Sequence, residues 1–200
     1  MILNETSAYI LGFVLGDGHI SKKGHAVRLF DADYHFVVST LKQCFIQSFG
    51  EEPAIYNDKS NNSYHLYRSS KTIWTELHEL GVPSGRKARI ITIPETVQVN
   101  NPVIKAHFLS GVFDAEGSIT RFKETKRHPR GYSYFQLKMF NPRFVLGLMN
   151  LLLDISSEFV PKVYNYGDWS VLRLNGRGQL KLVSRHLFLR HPRLLRALGD

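Results

Sequence analysis

Two acidic residues stand in the same local setting at two distant places in the chain. Asp17 follows an apolar stretch and precedes Gly18, and Glu116 follows a second apolar stretch and precedes Gly117. Residues 8–20 align with residues 107–119 without a gap. One acid after an apolar helix is usually only a helix stop, but two matching copies indicate paired carboxylates, which suit metal-dependent hydrolysis.

The residues before each acid predict a helix that is buried on every side. Residues 10–15 offer no polar face, so this helix must pack on its own sheet and also on a second apolar surface. Small residues recur four positions apart in both copies: Gly12, Gly16, Gly111 and Ala115. Such stripes let two backbones approach closely, so we expect the helices to pack on each other and to bring Asp17 and Glu116 together.

A carboxylate at the C-terminal end of a helix is unfavourable, because unpaired carbonyls give that end a partial negative charge. Two carboxylates brought together there would also repel each other. A hard divalent cation relieves both effects, since it prefers carboxylate and carbonyl oxygens and keeps waters for chemistry. We therefore predict Mg²⁺ bound by Asp17 and Glu116, with the carbonyls of Gly16 and Ala115 as further ligands, able to activate a water and stabilise charge on a scissile phosphate.

The composition is ordinary except for the charge. The apolar fraction is 43% and the charged fraction 22%, but the formal net charge is +9 and the sequence pI about 9.7, which favours a polyanionic partner such as nucleic acid. No apolar run approaches the ~20 residues that span a bilayer, and no secretory signal is recognisable. Cys44 is alone, so an internal disulfide and a cysteine metal cluster are excluded. We expect an intracellular protein (cytoplasm, nucleoid or organelle) that is not secreted and binds no membrane.

The repeat also predicts the fold. Each copy gives the order helix, strand, strand, helix, strand, strand, helix, with the clearest strand alternation in residues 132–140. Turn signals separate the strands, at Lys23-Gly24, Asn61-Asn62 and Gly167-Asp168. We predict an α+β fold with two sheets of at least four strands. We divide the chain into an N-terminal half (1–81), a turn-rich linker (82–101) and a C-terminal half (102–200).

Residues 10–18 and 109–117 resemble the two LAGLIDADG motifs of homing endonucleases, and through the repeat the resemblance covers nearly the whole chain. The second motif is the closer match, because Leu15 stands where the first usually has Asp. The resemblance implies two pseudo-symmetric αββαββα halves with saddle-shaped antiparallel sheets, packed through the motif helices in a monomer. It implies an intron-encoded enzyme that cuts both strands of a long asymmetric DNA site across the minor groove and leaves 3′ overhangs. Mg²⁺ would be its cofactor, Mn²⁺ would substitute, and Ca²⁺ would bind without supporting cleavage.

The resemblance also implies roles for residues outside the motifs. Residues 85–94 are similar to the family's linker, whose lysine approaches the active site in many members, so Lys87 is our candidate for polarising the scissile phosphate or the attacking water. Asp31 and Asn141, which we align with each other, stand where the family often has a polar residue that orders active-site water. No linker follows the second half, so a partner for Lys87 is missing there and Arg190 is only a weak substitute.

Exposed strand positions should carry the DNA contacts, as base readers or as phosphate ligands. In the first half the candidates are Lys22, Lys23, Arg28, Tyr56, Asn57, Lys59, Asn62, His65, Tyr67 and Arg68. In the second half they are Arg121, Lys123, Lys126, Arg127, Arg130, Tyr132, Tyr134, Gln136, Lys138, Tyr164, Tyr166, Trp169 and Arg173.

Other functions remain open at this point. The same scaffold could serve as an RNA-binding intron-splicing maturase or as a non-cleaving DNA-binding regulator. Two intact acids and the lack of an added helix-turn-helix segment favour the nuclease. A splicing intein is disfavoured, because no Cys or Ser block begins the sequence and no His-Asn ends it, so we expect a stand-alone enzyme. A general α+β ligand-binding protein would have to explain the acid-ended helices and the charge together.

Overall fold

Each repeat folds into a four-stranded antiparallel sheet covered by helices. The computed structural model describes residues 3–122 and 131–199. The first half contains α1 (Glu5–Leu15), β1 (Gly18–Ile20), β2 (Ala26–Asp31), α2 (Tyr34–Phe36), a π-helical turn (Val37–Leu41), α3 (Lys42–Phe49), β3 (Ala54–Asp58), β4 (Ser63–Ser69) and α4 (Lys71–Glu79). After α5 (Glu95–Gln98) come α6 (Pro102–Glu116), β5 (Gly117–Phe122), β6 (Tyr132–Met139), α7 (Pro142–Ile155), β7 (Pro161–Tyr166), β8 (Trp169–Asn175), α8 (Arg177–His186) and α9 (Pro192–Gly199). None of the described helices is both long and apolar enough to cross a bilayer.

The two sheets have the same topology. Their strand orders are β1-β2-β4-β3 and β5-β6-β8-β7, and all neighbouring strands are antiparallel. Gly18 pairs with Leu29 in the first sheet, and Gly117 pairs with Leu137 in the second. Positions 29 and 137 are therefore equivalent. The predicted α+β fold with two pseudo-symmetric halves is confirmed, while the division at residues 81 and 102 stays a prediction.

The strand register corrects one alignment made from the sequence. Counting two residues on from the equivalent leucines, the counterpart of Asp31 is Met139, and the counterpart of Asn141 is Asp33. The caps agree: Asp33 caps α2 and Asn141 caps α7, each accepting from the backbone amide three residues later. Asp31 and Asn141 are thus not equivalent, and the alignment that paired them was two residues out of register.

The motif helices α1 and α6 pack on each other through their glycines, as predicted. A Cβ atom at Gly12 would overlap the Phe108 carbonyl oxygen, and one at Gly111 would overlap the Tyr9 carbonyl oxygen. Both obstacles are backbone atoms, so no side-chain rearrangement could make room. Every residue from 7 to 15 is buried, which accounts for a helix with no polar face.

Candidate active site and nucleic-acid interface

The two motif acids meet where the paired helices end. The Cβ position built on Gly16 lies 3.2 Å from Cγ of Glu116, so the end of α1 touches the acid of α6. Asp17 follows directly, and its carbonyl accepts a hydrogen bond from the Phe30 amide at 3.3 Å. The pairing that the small-residue stripes predicted therefore does bring Asp17 and Glu116 to one place.

The surroundings of these acids oppose their ionisation. Burial, and after it the negative charge of Glu116, raise the pKa of Asp17 to about 7 against the lowering effect of Lys87. Burial also raises the pKa of Glu116, while the charges of Lys87 and Arg193 lower it. Lys87 and Arg193 therefore offset only part of the cost of burying the two acids.

Lys87 reaches the first motif helix from the segment between the halves. Its ammonium donates to the carbonyls of Val14 and Gly16, at 2.5 Å to each. Burial lowers the pKa of Lys87 to about 8, and the two acids oppose this shift. The lysine named from the resemblance is therefore brought to the site. It also occupies the Gly16 carbonyl, which we expected to serve as a metal ligand.

A divalent cation fits this group of residues. Asp17 and Glu116 supply hard oxygen donors, and a cation between them would relieve the repulsion that raises the pKa of Asp17. Among residues 3–122 and 131–199, no three His, Cys, Asp or Glu side chains form a cluster that could hold a metal on its own. Water and a substrate phosphate would have to complete the coordination. The Ala115 side chain lies at the rim of the same cleft, 7% exposed.

The sequence reasoning missed Arg193. Leu29 pairs with Leu66, and Leu137 pairs with Leu172, so positions 66 and 172 are equivalent. Continuing the alignment from these positions without a gap places Arg193 at the position of Lys87. Its guanidinium donates to the Asp114 carbonyl at 3.1 Å, and its charge lowers the pKa of both motif acids. Extending the alignment of the two repeats past α8 would have identified Arg193 from the sequence.

Arg190, suggested as a weak substitute for a second lysine, has different contacts. Its guanidinium donates to Cys44 Sγ at 2.8 Å and lies 4.4 Å from the centre of the Tyr9 ring. Its backbone amide donates to the Asp114 carboxylate at 2.7 Å, and Tyr9 donates to the same oxygen at 2.8 Å. These contacts tie the C-terminal segment to both motif helices, which is a structural role.

A second residue that the sequence reasoning missed is His191. Its Nε2 lies 3.1 Å from Oδ2 of Asp31, and both side chains are almost fully buried. His191, Asp31 and Asp17 line one open cleft of about 720 Å³, together with Arg193 and Arg196. Asp31 is therefore next to the motif acids, as expected, but already has a partner from the far end of the chain.

Asn141 has no free hydrogen-bonding position left. Its side-chain oxygen accepts from the amides of Arg143 and Phe144, and its nitrogen donates to the carbonyls of Arg89 and Ile91. These contacts begin α7 and anchor the segment between the halves. They support a structural role in place of the water-ordering role that we expected.

The polar faces of both sheets start at the motif acids, because β1 begins at Gly18 and β5 at Gly117. The second sheet carries an ordered group on this face. The Arg173 guanidinium donates to Gln136 Oε1 at 3.0 Å and stands 4.3 Å from the Tyr134 ring centre and 5.3 Å from that of Tyr164. Lys138 lies on the same face, 4.2 Å from the centre of the Trp169 ring. These predicted contact residues are thus assembled on one surface.

The first sheet presents a more aromatic face. Arg28 lies 5.4 Å from the Tyr67 ring centre, and His65 stacks on Tyr56 at 5.5 Å. Among the predicted contacts, the exposed side chains across both halves include Lys22, Lys23, Tyr56, Asn57, Lys59, Asn62, Lys138 and Tyr166. Tyr132 lies at the end of the second face, half-buried.

Three predicted DNA contacts lie on the wrong face, and four lie outside the described residues. Arg68 points to the same side of the sheet as buried Leu66, and its guanidinium donates to the Glu51 carboxylate at 2.6 Å. Arg121 donates to the Ala197 carbonyl. Asn57 alternates with Tyr56 and so also points away from the polar face. The alternation was right, but the parity of these strands could not be read without the register. The remaining four are Lys123, Lys126, Arg127 and Arg130.

No protein-family model matches the chain. Part of it is similar to the tRNA-splicing ligase RtcB of Pyrococcus furiosus, with 32% identity over 141 residues, which are 62% of this chain and 14% of the ligase. RtcB of Methanopyrus kandleri is 27% identical over 59% of this chain and 13% of that protein. The replication factor C small subunit of Methanocaldococcus jannaschii is 28% identical over 78% of this chain and 8% of that protein. The chain thus spans only a small part of these relatives.

Solved structures match over nearly the whole chain. A mesophilic-variant structure of the homing endonuclease I-DmoI gives a TM-score of 0.68 at 16% identity and covers 98% of both chains. I-DmoI in complex with DNA and Mn gives 0.66 at 16% identity, covering 93% of this chain and 98% of that one. The N-terminal LAGLIDADG domain of DUF199/WhiA gives 0.63 at 12% identity, covering 100% and 89%. Further I-DmoI complexes with DNA contain Ca or Mg.

Proposed function

We propose that this chain, whose fold is that of the LAGLIDADG proteins, is a metal-dependent endonuclease that cuts both strands of DNA at one long site. The resemblance read from the two motifs is confirmed in the fold. The observation that carries the proposal is the meeting of Asp17 and Glu116 at the ends of glycine-packed helices. A helix pair with only a structural role gains nothing from buried acids at its negative ends, since they cost stability.

The duplex would lie across both polar sheet faces, with the scissile phosphates over the motif acids. Phosphates would be bound by the basic side chains and bases read by groups such as Arg173 with Gln136. The two faces carry different side chains, so the target is asymmetric. The proposal includes cleavage across the minor groove with 3′ overhangs, Mg²⁺ as cofactor with Mn²⁺ able to replace it, action as a monomer, and an intron-encoded, intracellular origin. It also takes residues 1–81 and 102–200 as the two halves and 82–101 as the linker.

The chain's own groups would bind and orient the reacting phosphates. A divalent cation held by Asp17 and Glu116 would supply Lewis-acid chemistry. Lys87 stays protonated near neutral pH, since its pKa is about 8, and its contact with the Gly16 carbonyl fixes this charge beside the site. Arg193 supplies a second fixed charge from the other half. Burial strengthens the attraction of both groups for charge that develops on the phosphate.

The acids are tested by Asp17→Asn and Glu116→Gln. Each should abolish cleavage of a target selected from a plasmid library, because each removes a charged metal ligand. Duplex binding in Ca²⁺ should stay within about threefold of the wild type, since the shape is kept. Glu79→Gln makes the same change on the exposed end of α4 and should cleave normally. If both acid variants lost binding together with cleavage, the acids would be structural and the proposal would fail.

RNA-related function is the second candidate, because three of the relatives carry the words tRNA-splicing ligase in their names. A similar segment also occurs in a replication factor C subunit, and in each case it is a small part of a longer chain. A segment found in proteins with such different names favours a transferable unit over a part of either activity. Filter binding of intron RNA against target duplex separates a maturase from a nuclease. Tight duplex binding without cleavage in Mg²⁺ or Mn²⁺ would instead indicate a non-cleaving regulator.

A further inference from the structure

The two sides of the paired acids differ in the side chain that the neighbouring strand delivers. On the first side β2 ends at Asp31, and the amide of the preceding residue, Phe30, donates to the Asp17 carbonyl at 3.3 Å. On the second side the equivalent position of β6 is Met139, which is 7% exposed. One reaction centre of the proposed enzyme therefore has an added carboxylate, and the other has a thioether that cannot accept a proton.

His191 holds that carboxylate in a defined way. Its Nδ1 accepts from the Arg193 amide at 3.0 Å, which leaves Nε2 as the ring nitrogen that can donate to another group. Nε2 faces Asp31, at 3.3 and 3.1 Å from the two carboxylate oxygens. The Phe36 ring packs on the imidazole at 4.4 Å. Asp31 also accepts from the Asp33 amide at 2.7 Å, so its carboxylate is fixed from two directions.

Within residues 131–199 and the described part of β5, the second side shows no comparable group. Asn141 follows two residues after Met139, but its oxygen and nitrogen are both fully used by backbone partners. Position 85, the counterpart of His191 when the repeat is extended past the last strand, is a glycine. Asp31 and His191 therefore both lack a counterpart in the other half, where the matching residues are Met139 and Gly85.

We propose that Asp31, positioned by His191, accepts the proton of the attacking water for one DNA strand only, so that the two strands are cut at unequal rates. This rests on the proposed function. In the step, the water oxygen forms a bond to phosphorus while the bond from phosphorus to O3′ breaks. The water proton passes to the Asp31 carboxylate and then to solvent, and O3′ takes a proton from solvent. On the other strand the water proton passes to solvent without a side-chain acceptor.

The test is single-turnover cleavage of a duplex labelled separately on each strand. For the wild type we expect a nicked intermediate in which the same strand is always cut first. Asp31→Asn should slow that strand about 100-fold and leave the other within about threefold, since general-base contributions are of this order. His191→Phe keeps a ring against Phe36 but removes the donor, so it should slow the same strand. His191→Gln keeps a nitrogen donor and should restore most of the rate.

Two measurements separate positioning from folding. Duplex binding in Ca²⁺ and the melting temperature of each variant report an intact fold, and Met139→Leu provides a matched change on the other side that should leave the strand ratio unchanged. Equal slowing of both strands by Asp31→Asn would overturn the inference, and so would equal rates in the wild type. A wild type that cuts neither strand, under conditions where it binds the duplex, would overturn the proposed function itself.

Discussion

Asp17 carries energetic costs that a residue placed for stability alone would not have. It lies at the negative end of a helix, is largely buried, and faces a second acid. Each of these raises the free energy of its charged form, and Lys87 offsets only part of the cost. The metal-free protein therefore holds unfavourable energy at the place where a cation and a phosphate would bind, which is consistent with a site built for ligands.

The contribution of Asp17 to the stability of the metal-free protein should fall between pH 4 and pH 7. The folded-state pKa of Asp17 is about 7, above its ordinary value, so the folded state retains a proton that the unfolded state has released. The stabilising contribution of Asp17 is thus fully present below about pH 4. It is lost as the pH rises through 7, which lowers the free energy of unfolding by about 1–3 kcal/mol. Urea unfolding in EDTA measures it. Asp17→Asn should flatten the profile, and Mg²⁺ should restore stability at pH 8; a profile identical in Asp17→Asn would contradict the assignment.

Lys87→Met should reduce cleavage about 100-fold with little change in duplex binding. In the proposed mechanism the change removes a charge that would act on the transition state, while most of the proposed phosphate contacts lie elsewhere on the sheets. Single-turnover rates and binding in Ca²⁺ measure the two effects. Lys71→Met, on the exposed first turn of α4, removes a lysine that affects the pKa of neither motif acid and serves as the control. A parallel loss of binding and rate in Lys87→Met would mean that the lysine only attracts DNA.

At the scale of elements, the contact between α1 and α6 decides where both acids stand. Its glycines let the helix backbones touch, so the distance between the helix ends is set by main-chain atoms and not by flexible side chains. This is a rigid way to position two groups from different halves. It also explains why the sequence tolerates helix-interior glycine, which costs ~1 kcal/mol relative to alanine.

Gly111→Ala should destabilise the protein by at least about 2 kcal/mol, because its Cβ would overlap the Tyr9 carbonyl oxygen. Gly178→Ala is the matched control. It also lies within a helix, but nothing lies within 4 Å of its Cβ position, so it should stabilise α8 by about 0.5–1 kcal/mol. Chemical denaturation of both variants measures the difference. Equal effects would show that the helices are not in close contact.

The sequence was sufficient for the parts of the site that are repeated, and insufficient for those that are not. The helix pair and both acids follow from small-residue spacing and from burial, which are local signals. The strand register was misjudged by two residues, because hairpin length is set by turns that pattern alone does not fix. His191 could not be found, since it reaches Asp31 from 160 residues away with no motif of its own.

On the scale of the whole molecule, charge and sheet faces act together. The net charge is +9, and basic side chains supported by aromatic rings line the polar faces that begin at the acids. Phosphate neutralisation releases counterions, so duplex binding should weaken steeply as salt rises. Bases would be read by the few side chains that are already held in place, because these lose little entropy on binding.

Arg173→Ala should weaken binding of the specific duplex by about 1–3 kcal/mol and relax the sequence requirement at one position. The reason is that Gln136 and two tyrosine rings already orient the guanidinium for a guanine edge. Binding to a library of single-substituted targets measures both effects. Lys181→Ala, on exposed α8, removes a charge elsewhere and should change neither. A small loss spread evenly over all targets would make Arg173 a phosphate contact.

The C-terminal segment that carries Arg190, His191 and Arg193 has a consequence for recombination. Arg190 and His191 reach Cys44 and Asp31 in the first half, while Arg193 holds the second motif helix. Halves of related proteins could be exchanged at the glycine contact, where shape alone is required. They could not be exchanged freely at this segment, which accepts only a partner offering the same carboxylate and thiol. New target preferences would therefore arise more easily by altering strands in place than by shuffling halves.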